Sequence, residues 1–126
     1  MNALLRLAFP ALVLLALDVA WLYTCMSAKY DTMISLIQKK PMAFKLHHAM
    51  IAYTCMVIGL YAFALDRNAS PTTAIGRAAL FGAILYGVYD FTNAAVFDDF
   101  DTKLALIDVA WGSILYAAAC AASFLV

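Results

Sequence analysis

The stretch TTAIGRAALFGAILYGVYDFTNAAVF, from Thr72 to Phe97, is long and apolar enough to cross a lipid bilayer, because about 20 helical residues span the hydrocarbon core. It nevertheless carries Asp90 and Asn93 before it ends. Three further apolar runs lie at residues 3–26, 44–65 and 104–126. We therefore predict an all-α, four-helix transmembrane bundle with antiparallel neighbours, in which residues 1–126 form a single integral membrane domain.

Composition supports this interpretation. Of the 126 residues, 67% are hydrophobic and 13% are charged, whereas soluble domains are roughly half apolar and a quarter charged. The formal net charge is zero and no basic cluster is present, so the chain lacks the electrostatic footprint of a nucleic-acid-binding protein. The lipid bilayer is the partner that composition predicts, and nucleic acid is not.

The connection between the first two helices has an amphipathic pattern, with apolar residues at helical spacing and polar residues opposite. The apolar set is Tyr30, Met33, Ile34 and Ile37, and the polar set is Asp31, Ser35 and Gln38. This pattern favours an interfacial amphipathic helix. An ordinary ordered loop is the alternative interpretation.

The connection between the last two helices reads DDFDTK and carries Asp98, Asp99 and Asp101. We interpret it as a solvated turn in which Asp101 or Thr102 caps the fourth helix, because a side-chain oxygen there can accept from exposed first-turn amides. The alternative is a mouth that attracts cations.

Charge bias gives a weak indication of orientation, because cytoplasmic loops of membrane proteins carry an excess of Lys and Arg. The side holding the first and third connections has five of these residues and the other side has three. They are Lys29, Lys39, Lys40, Lys45 and Lys103 on the first side, and Arg6, Arg67 and Arg77 on the second. We therefore expect the first and third connections to be cytoplasmic.

Antiparallel order also predicts that the polar groups within the spans share one level. Asp18 is late in the first helix, His47 and His48 are early in the second, Asp90 is late in the third and Asp108 is early in the fourth. In an up-down bundle these positions all fall in the same leaflet. Ionisable groups at that depth are costly and usually face the bundle interior, so we expect them to line one pocket.

Two roles for this pocket remain open. It could bind a small or amphipathic ligand or pass protons, with a histidine as titratable partner. Alternatively, it could be a hydrogen-bond network that fixes helix register, with Lys45 or a histidine neutralising one Asp. The candidate residues are Asp18, Trp21, His47, His48, Tyr89, Asp90, Asn93, Asp108 and Trp111.

Catalytic and metal chemistry find little support. No serine, cysteine or lysine has a nucleophile motif beside a base. The adjacent histidines lie about 100° apart on a helix, and no HExxH or i,i+4 histidine pair exists. We predict no catalytic residues and no metal site, and the sequence indicates no particular cofactor.

Three motifs carry a resemblance to a known family: DVAWL at Asp18 to Leu22, GAILYGVYDFTN at Gly82 to Asn93, and IDVAWG at Ile107 to Gly112. Together they resemble the DUF2177 family of small predicted bacterial membrane proteins, over essentially the whole chain. The resemblance implies a four-helix protein of a bacterial-type inner membrane, without an established activity. The motif positions here are Asp18, Trp21, Tyr89, Asp90, Thr92, Asn93, Asp108, Trp111 and Gly112.

Small residues recur on two helices and allow close helix approach. Ala78 and Gly82 are four apart, as are Ala83 and Gly87, and the fourth helix ends with AAACAAS at residues 117–123. These faces could serve the bundle itself, a homo-oligomer or a membrane-complex partner, with the end of the fourth helix as the first candidate for such a contact. The alternative function is thus a structural or accessory subunit of a larger membrane complex or envelope.

Overall fold

The computed structural model describes residues 2–126. Within that range the chain is 82% helical and has no strand. The helices are α1 (Ala3–Trp21), α2 (Ser27–Gln38), α3 (Leu46–Gly59), α4 (Pro71–Val96) and α5 (Thr102–Ser123). Two short π-helical segments, Leu22–Met26 and Leu60–Ala64, join α1 to α2 and extend α3.

Four helical stretches are long and apolar enough to cross a membrane, which confirms the predicted all-α, four-helix architecture. They are Ala3–Gln38, Leu46–Ala64, Pro71–Val96 and Thr102–Ser123. The first differs most from its predicted bounds of residues 3–26, because the π-helical segment passes the chain directly into α2. At about 1.5 Å per residue, its 36 residues measure about 54 Å. That length exceeds a hydrocarbon core of about 30 Å, so one end of the helix extends beyond the core.

The amphipathic segment of the first connection is helix α2. Its apolar face packs on the protein itself: Met33 is buried, and Tyr30 is half-buried beside it. The partners of this face are Phe100, in the α4–α5 connection, and Leu104, at the start of α5. The helix therefore covers one end of the α4–α5 hairpin. It ends where Lys39 adopts a left-handed conformation, with φ of 58°.

Local sequence explains how α5 begins and where α1 lacks a backbone hydrogen-bond donor. Asp101 caps α5 by accepting from the backbone N–H of Lys103 at 2.8 Å, which confirms the predicted cap. Pro10 lies inside α1, where its ring removes one backbone hydrogen bond. The hydroxyl of Tyr61 donates to the carbonyl of Leu7, in the same turn of α1.

Helix α5 is the central helix of the bundle and has the largest share of buried residues. It runs antiparallel to α4, and the two cross most closely where a Cβ on Gly82 would lie 2.0 Å from the carbonyl oxygen of Gly112. The small residues near its C-terminal end are also buried: Ala119, Cys120, Ala122 and Ser123. These side chains pack inside the bundle, because α5 is surrounded by the other helices. Of the roles that the sequence left open for these small residues, packing within the bundle is the one that these four fulfil.

Candidate functional site

Three aspartates from three different helices are buried in the bundle. Asp18 on α1 is 5% exposed, Asp90 on α4 is 0% exposed and Asp108 on α5 is 4% exposed. We call these three residues the aspartate cluster. Within residues 2–126 no Lys, Arg or His forms an ion pair with any of them. Because buried charges are normally paired, the cluster requires another way to satisfy its carboxyl groups.

Asp18 is satisfied by hydrogen bonds from two other helices. Its Oδ1 accepts from the hydroxyl of Tyr86 on α4 at 2.9 Å and from the indole Nε1 of Trp111 on α5 at 3.0 Å. The hydroxyl of Tyr53, on α3, lies close to the same carboxyl group. Because one donor comes from α4 and the other from α5, Asp18 ties α1 to both of these helices.

The two tryptophans of the chain stack against each other beside Asp18. The rings of Trp21 and Trp111 have centroids 4.6 Å apart and planes inclined by 7°. Because α1 and α5 run antiparallel, the two matching DVAW motifs bring these rings together. The indole N–H of Trp21, unlike that of Trp111, is buried without a hydrogen-bond partner.

Asp90 has the least satisfied carboxyl group of the cluster. Both its oxygens are buried, and no hydrogen bond reaches either of them. The carboxyl group of Asp108 lies close to it, and Asp108 also lies close to the hydroxyl of Tyr30 from α2. Carboxylates only accept hydrogen bonds, so two of them can bond to each other only when one is protonated.

The other residues of the sequence-predicted pocket lie further out. His47 and His48 stand exposed in the first turn of α3, with their rings 4.1 Å apart, and within residues 2–126 neither forms an ion pair with an aspartate. They face outward because α3 is peripheral, with no buried residue between Leu46 and Gly59. Tyr89 is 59% exposed, and Asn93 is half-buried.

Sequence reasoning missed two tyrosines and a packing requirement. Tyr86 donates to Asp18 and Tyr30 lies close to Asp108, although neither was placed in the pocket. The signal for Tyr86 was its position one turn before Asp90 on the same helical face. Gly112 matters because a Cβ there would lie 2.4 Å from Cγ of Tyr86. The absent side chain leaves the space through which Tyr86 reaches Asp18.

The aspartate cluster lies beneath the surface rather than in an open cleft. Two surface grooves, of about 310 and 470 Å³, are lined by other residues. The smaller is apolar and lies between α1 and Tyr61. The larger lies between α2 and the start of α5. Within residues 2–126 no group of three or more His, Cys, Asp or Glu side chains is arranged to hold a metal ion.

Four long apolar helices around buried polar side chains define a helical integral membrane protein. The family described as "Predicted membrane protein (DUF2177)" matches residues 3–125, and the chain belongs to this family. The resemblance indicated by the DVAW and YDFTN motifs is thereby confirmed. Neither a curated protein nor a solved structure matches the chain.

Proposed function

We propose that this protein is a proton-binding integral membrane protein of a bacterial-type inner membrane, in which the Asp90–Asp108 pair takes up and releases a proton. The observation that carries the proposal is Asp90: it is completely buried, both its oxygens lack a hydrogen-bond partner, and its neighbour is a second carboxyl group. A proton between the two groups supplies the missing donor and removes one buried negative charge.

The energetic argument is that an ionised pair has no compensation at this position. A charged side chain at the centre of a membrane helix costs about 2.5–3.5 kcal/mol by insertion scales, and two adjacent carboxylates also repel each other. Asp18 differs, because Tyr86 and Trp111 both donate to it. In the aspartate cluster, fixed donors therefore hydrogen-bond Asp18, while the neighbouring Asp90–Asp108 pair holds a proton. Carboxyl groups with such different environments and roles are common in proton-handling sites.

The bundle supports exchange with one side of the membrane. Asp18 and Asp90 are late in α1 and α4, and Asp108 is early in α5, so the cluster is nearer the first and third connections than the opposite face. Towards that opposite face the interior is filled by apolar side chains, including Leu14, Leu60 and Leu115. We infer proton binding from the side of the first and third connections, rather than conduction through an open pore.

A hydrophobic carbodiimide tests this function, because it modifies protonated carboxyl groups in apolar surroundings. Mass spectrometry of the reconstituted protein should find the label on Asp90 or Asp108, decreasing as the pH is raised, and Asp90→Asn should abolish it. Asp99→Asn is the matched control, since Asp99 is exposed and its loss should leave the labelling unchanged. Equal labelling of wild type and Asp90→Asn would contradict the proposal.

A structural or accessory subunit is the second candidate function. It is supported by α3, whose residues Leu46–Gly59 include none that is buried. The exposed side of this helix is free for a protein partner in the bilayer. This function predicts co-purification of a fixed partner after extraction in mild detergent. Ala52→Leu, at an exposed position of α3, should release that partner. A chain that remains monomeric and without a partner would contradict it.

A further inference from the structure

The larger surface groove, between α2 and the start of α5, is separate from the aspartate cluster. Its volume is about 470 Å³, and it is open along the surface of the protein. The buried side chains of Met33 and Leu104 form its apolar floor. Lys29 lines it from α2, and Asp99 and Asp101 line it from the α4–α5 connection. It is thus apolar inside and charged at its edge.

The groove lies at the end of the helices, where a bilayer changes from hydrocarbon to headgroups. Helix α4 ends at Val96 and α5 begins at Thr102, so the wall carrying the aspartates is the connection between two membrane spans. The opposite wall belongs to the part of the long Ala3–Gln38 helix that continues past the bundle. Headgroups occupy about 5–7 Å beyond the hydrocarbon on each side, so a lipid beside this end presents its headgroup to the groove.

The charges at the edge of the groove are available to a ligand. Lys29 and Asp99 are exposed, and within residues 2–126 neither forms an ion pair. Asp101 uses Oδ1 to accept from Lys103. The edge therefore carries one positive and two negative groups.

We propose that this groove binds the headgroup of a zwitterionic membrane phospholipid that carries a primary ammonium group. Lys29 binds the phosphate, and Asp99 and Asp101 accept N–H hydrogen bonds from the ammonium group. The first methylenes of the acyl chains lie along the apolar floor. Charge-assisted hydrogen bonds of this kind are about twice as strong as neutral ones.

The same charges discriminate against other common lipids. A choline headgroup has a quaternary nitrogen without N–H donors, so it cannot hydrogen-bond the two carboxylates. An anionic glycerol headgroup offers them no positive charge, and like-charge juxtaposition opposes binding. Selectivity for a primary amine is therefore the specific signature of the site.

Native mass spectrometry of the full chain in mild detergent tests this proposal. Phosphatidylethanolamine, phosphatidylcholine and phosphatidylglycerol with identical acyl chains are added in equal amounts, and lipid retained by the protein is measured. We expect phosphatidylethanolamine to be retained about tenfold more than either competitor, the ratio for a difference of one charge-assisted hydrogen bond. Lys29→Gln and Asp99→Asn should each reduce this preference several-fold.

Lys40→Gln and Asp98→Asn are the matched controls, because both residues are exposed and neither lines the groove. They should behave as wild type, and circular dichroism establishes that every variant is folded. Equal retention of the three lipids, preference for phosphatidylglycerol, or an unchanged preference in both groove variants would overturn the proposal. Displacement of the lipid by an equal concentration of soluble phosphoethanolamine would assign the groove to a soluble ligand and overturn the lipid assignment.

Discussion

Replacing Gly82 by alanine should separate the two helices that form the centre of the bundle. An added Cβ would lie 2.0 Å from the carbonyl oxygen of Gly112 and 3.0 Å from Cβ of Tyr116. Even the closest C–H···O contacts between helices keep carbon and oxygen about 3.3–3.6 Å apart. Because the obstacle is backbone rather than the end of a flexible side chain, α4 and α5 must move apart by roughly 1.3 Å at the crossing, the difference from that contact distance.

The energetic consequence is large because α4 and α5 share the most extensive interface of the protein. A gap of about 0.5–1 Å already loses a quarter to a half of the dispersion attraction across a contact. Overpacking typically lowers the free energy of unfolding by about 1–3 kcal/mol. Because the clash in Gly82→Ala is with backbone, we expect a loss near the upper end, about 3 kcal/mol. Gly76→Ala and Gly87→Ala are the matched controls, since nothing lies within 4 Å of a Cβ at either position. We expect those two variants to be neutral, or stabilised by up to about 1 kcal/mol through helix propensity.

The assay is reversible unfolding by SDS titration in mixed micelles, followed by circular dichroism at a fixed detergent composition. The free energy of unfolding of Gly82→Ala should fall by about 3 kcal/mol relative to wild type, while the two controls stay at or above wild type. A Gly82→Ala protein as stable as Gly76→Ala, within about 0.5 kcal/mol, would refute the described crossing.

Substitutions at three further positions probe single contacts, each with its own comparison. Tyr61→Phe removes the hydroxyl that donates to Leu7 and should lower the free energy of unfolding by about 0.6–1.7 kcal/mol. Tyr23 is 83% exposed, so Tyr23→Phe should leave the free energy of unfolding unchanged in the same titration. Asp18→Ala leaves the partly buried donors of Tyr86 and Trp111 unpaired and should lower the free energy of unfolding by about 1–3 kcal/mol. Asp18→Asn retains an acceptor oxygen, so equal losses in both variants would contradict the described hydrogen bonds. Trp21→Phe should abolish the exciton coupling of the stacked indoles in circular dichroism, and a spectrum unchanged from wild type would show that the rings do not stack.

Much of the fold could be predicted from the sequence, because bilayer thickness imposes a length on each apolar run. The Asp101 cap was likewise visible in the residues themselves. The continuation of α1 into α2 was not, because the π-helical segment Leu22–Met26 depends on backbone geometry and carries no Gly or Pro to mark it. The sequence also did not predict that α5 is the central helix. Its composition resembles that of the neighbouring helices, and its small residues are compatible with packing either inside the bundle or against a partner.

The depth of the aspartate cluster in the membrane could be predicted from the sequence, but its side-chain contacts could not. Antiparallel order alone brings late positions of α1 and α4 beside early positions of α5, and Asp18, Asp90 and Asp108 occupy such positions. Which donor reaches which carboxyl depends on helix rotation, which a sequence pattern constrains poorly. Tyr86 therefore went unassigned, although it bonds to Asp18, and the outward direction of His47 could not be read from its depth.

Infrared spectroscopy of the protein in lipid can detect whether the buried Asp90–Asp108 pair holds a proton. A protonated carboxyl group gives a C=O stretching band that is distinct from the bands of carboxylates, and it requires no reagent to reach the buried site. We expect such a band in wild type at neutral pH, its loss in Asp90→Asn and its persistence in Asp99→Asn. Absence of a protonated carboxyl band in wild type at neutral pH would show that the pair does not hold a proton.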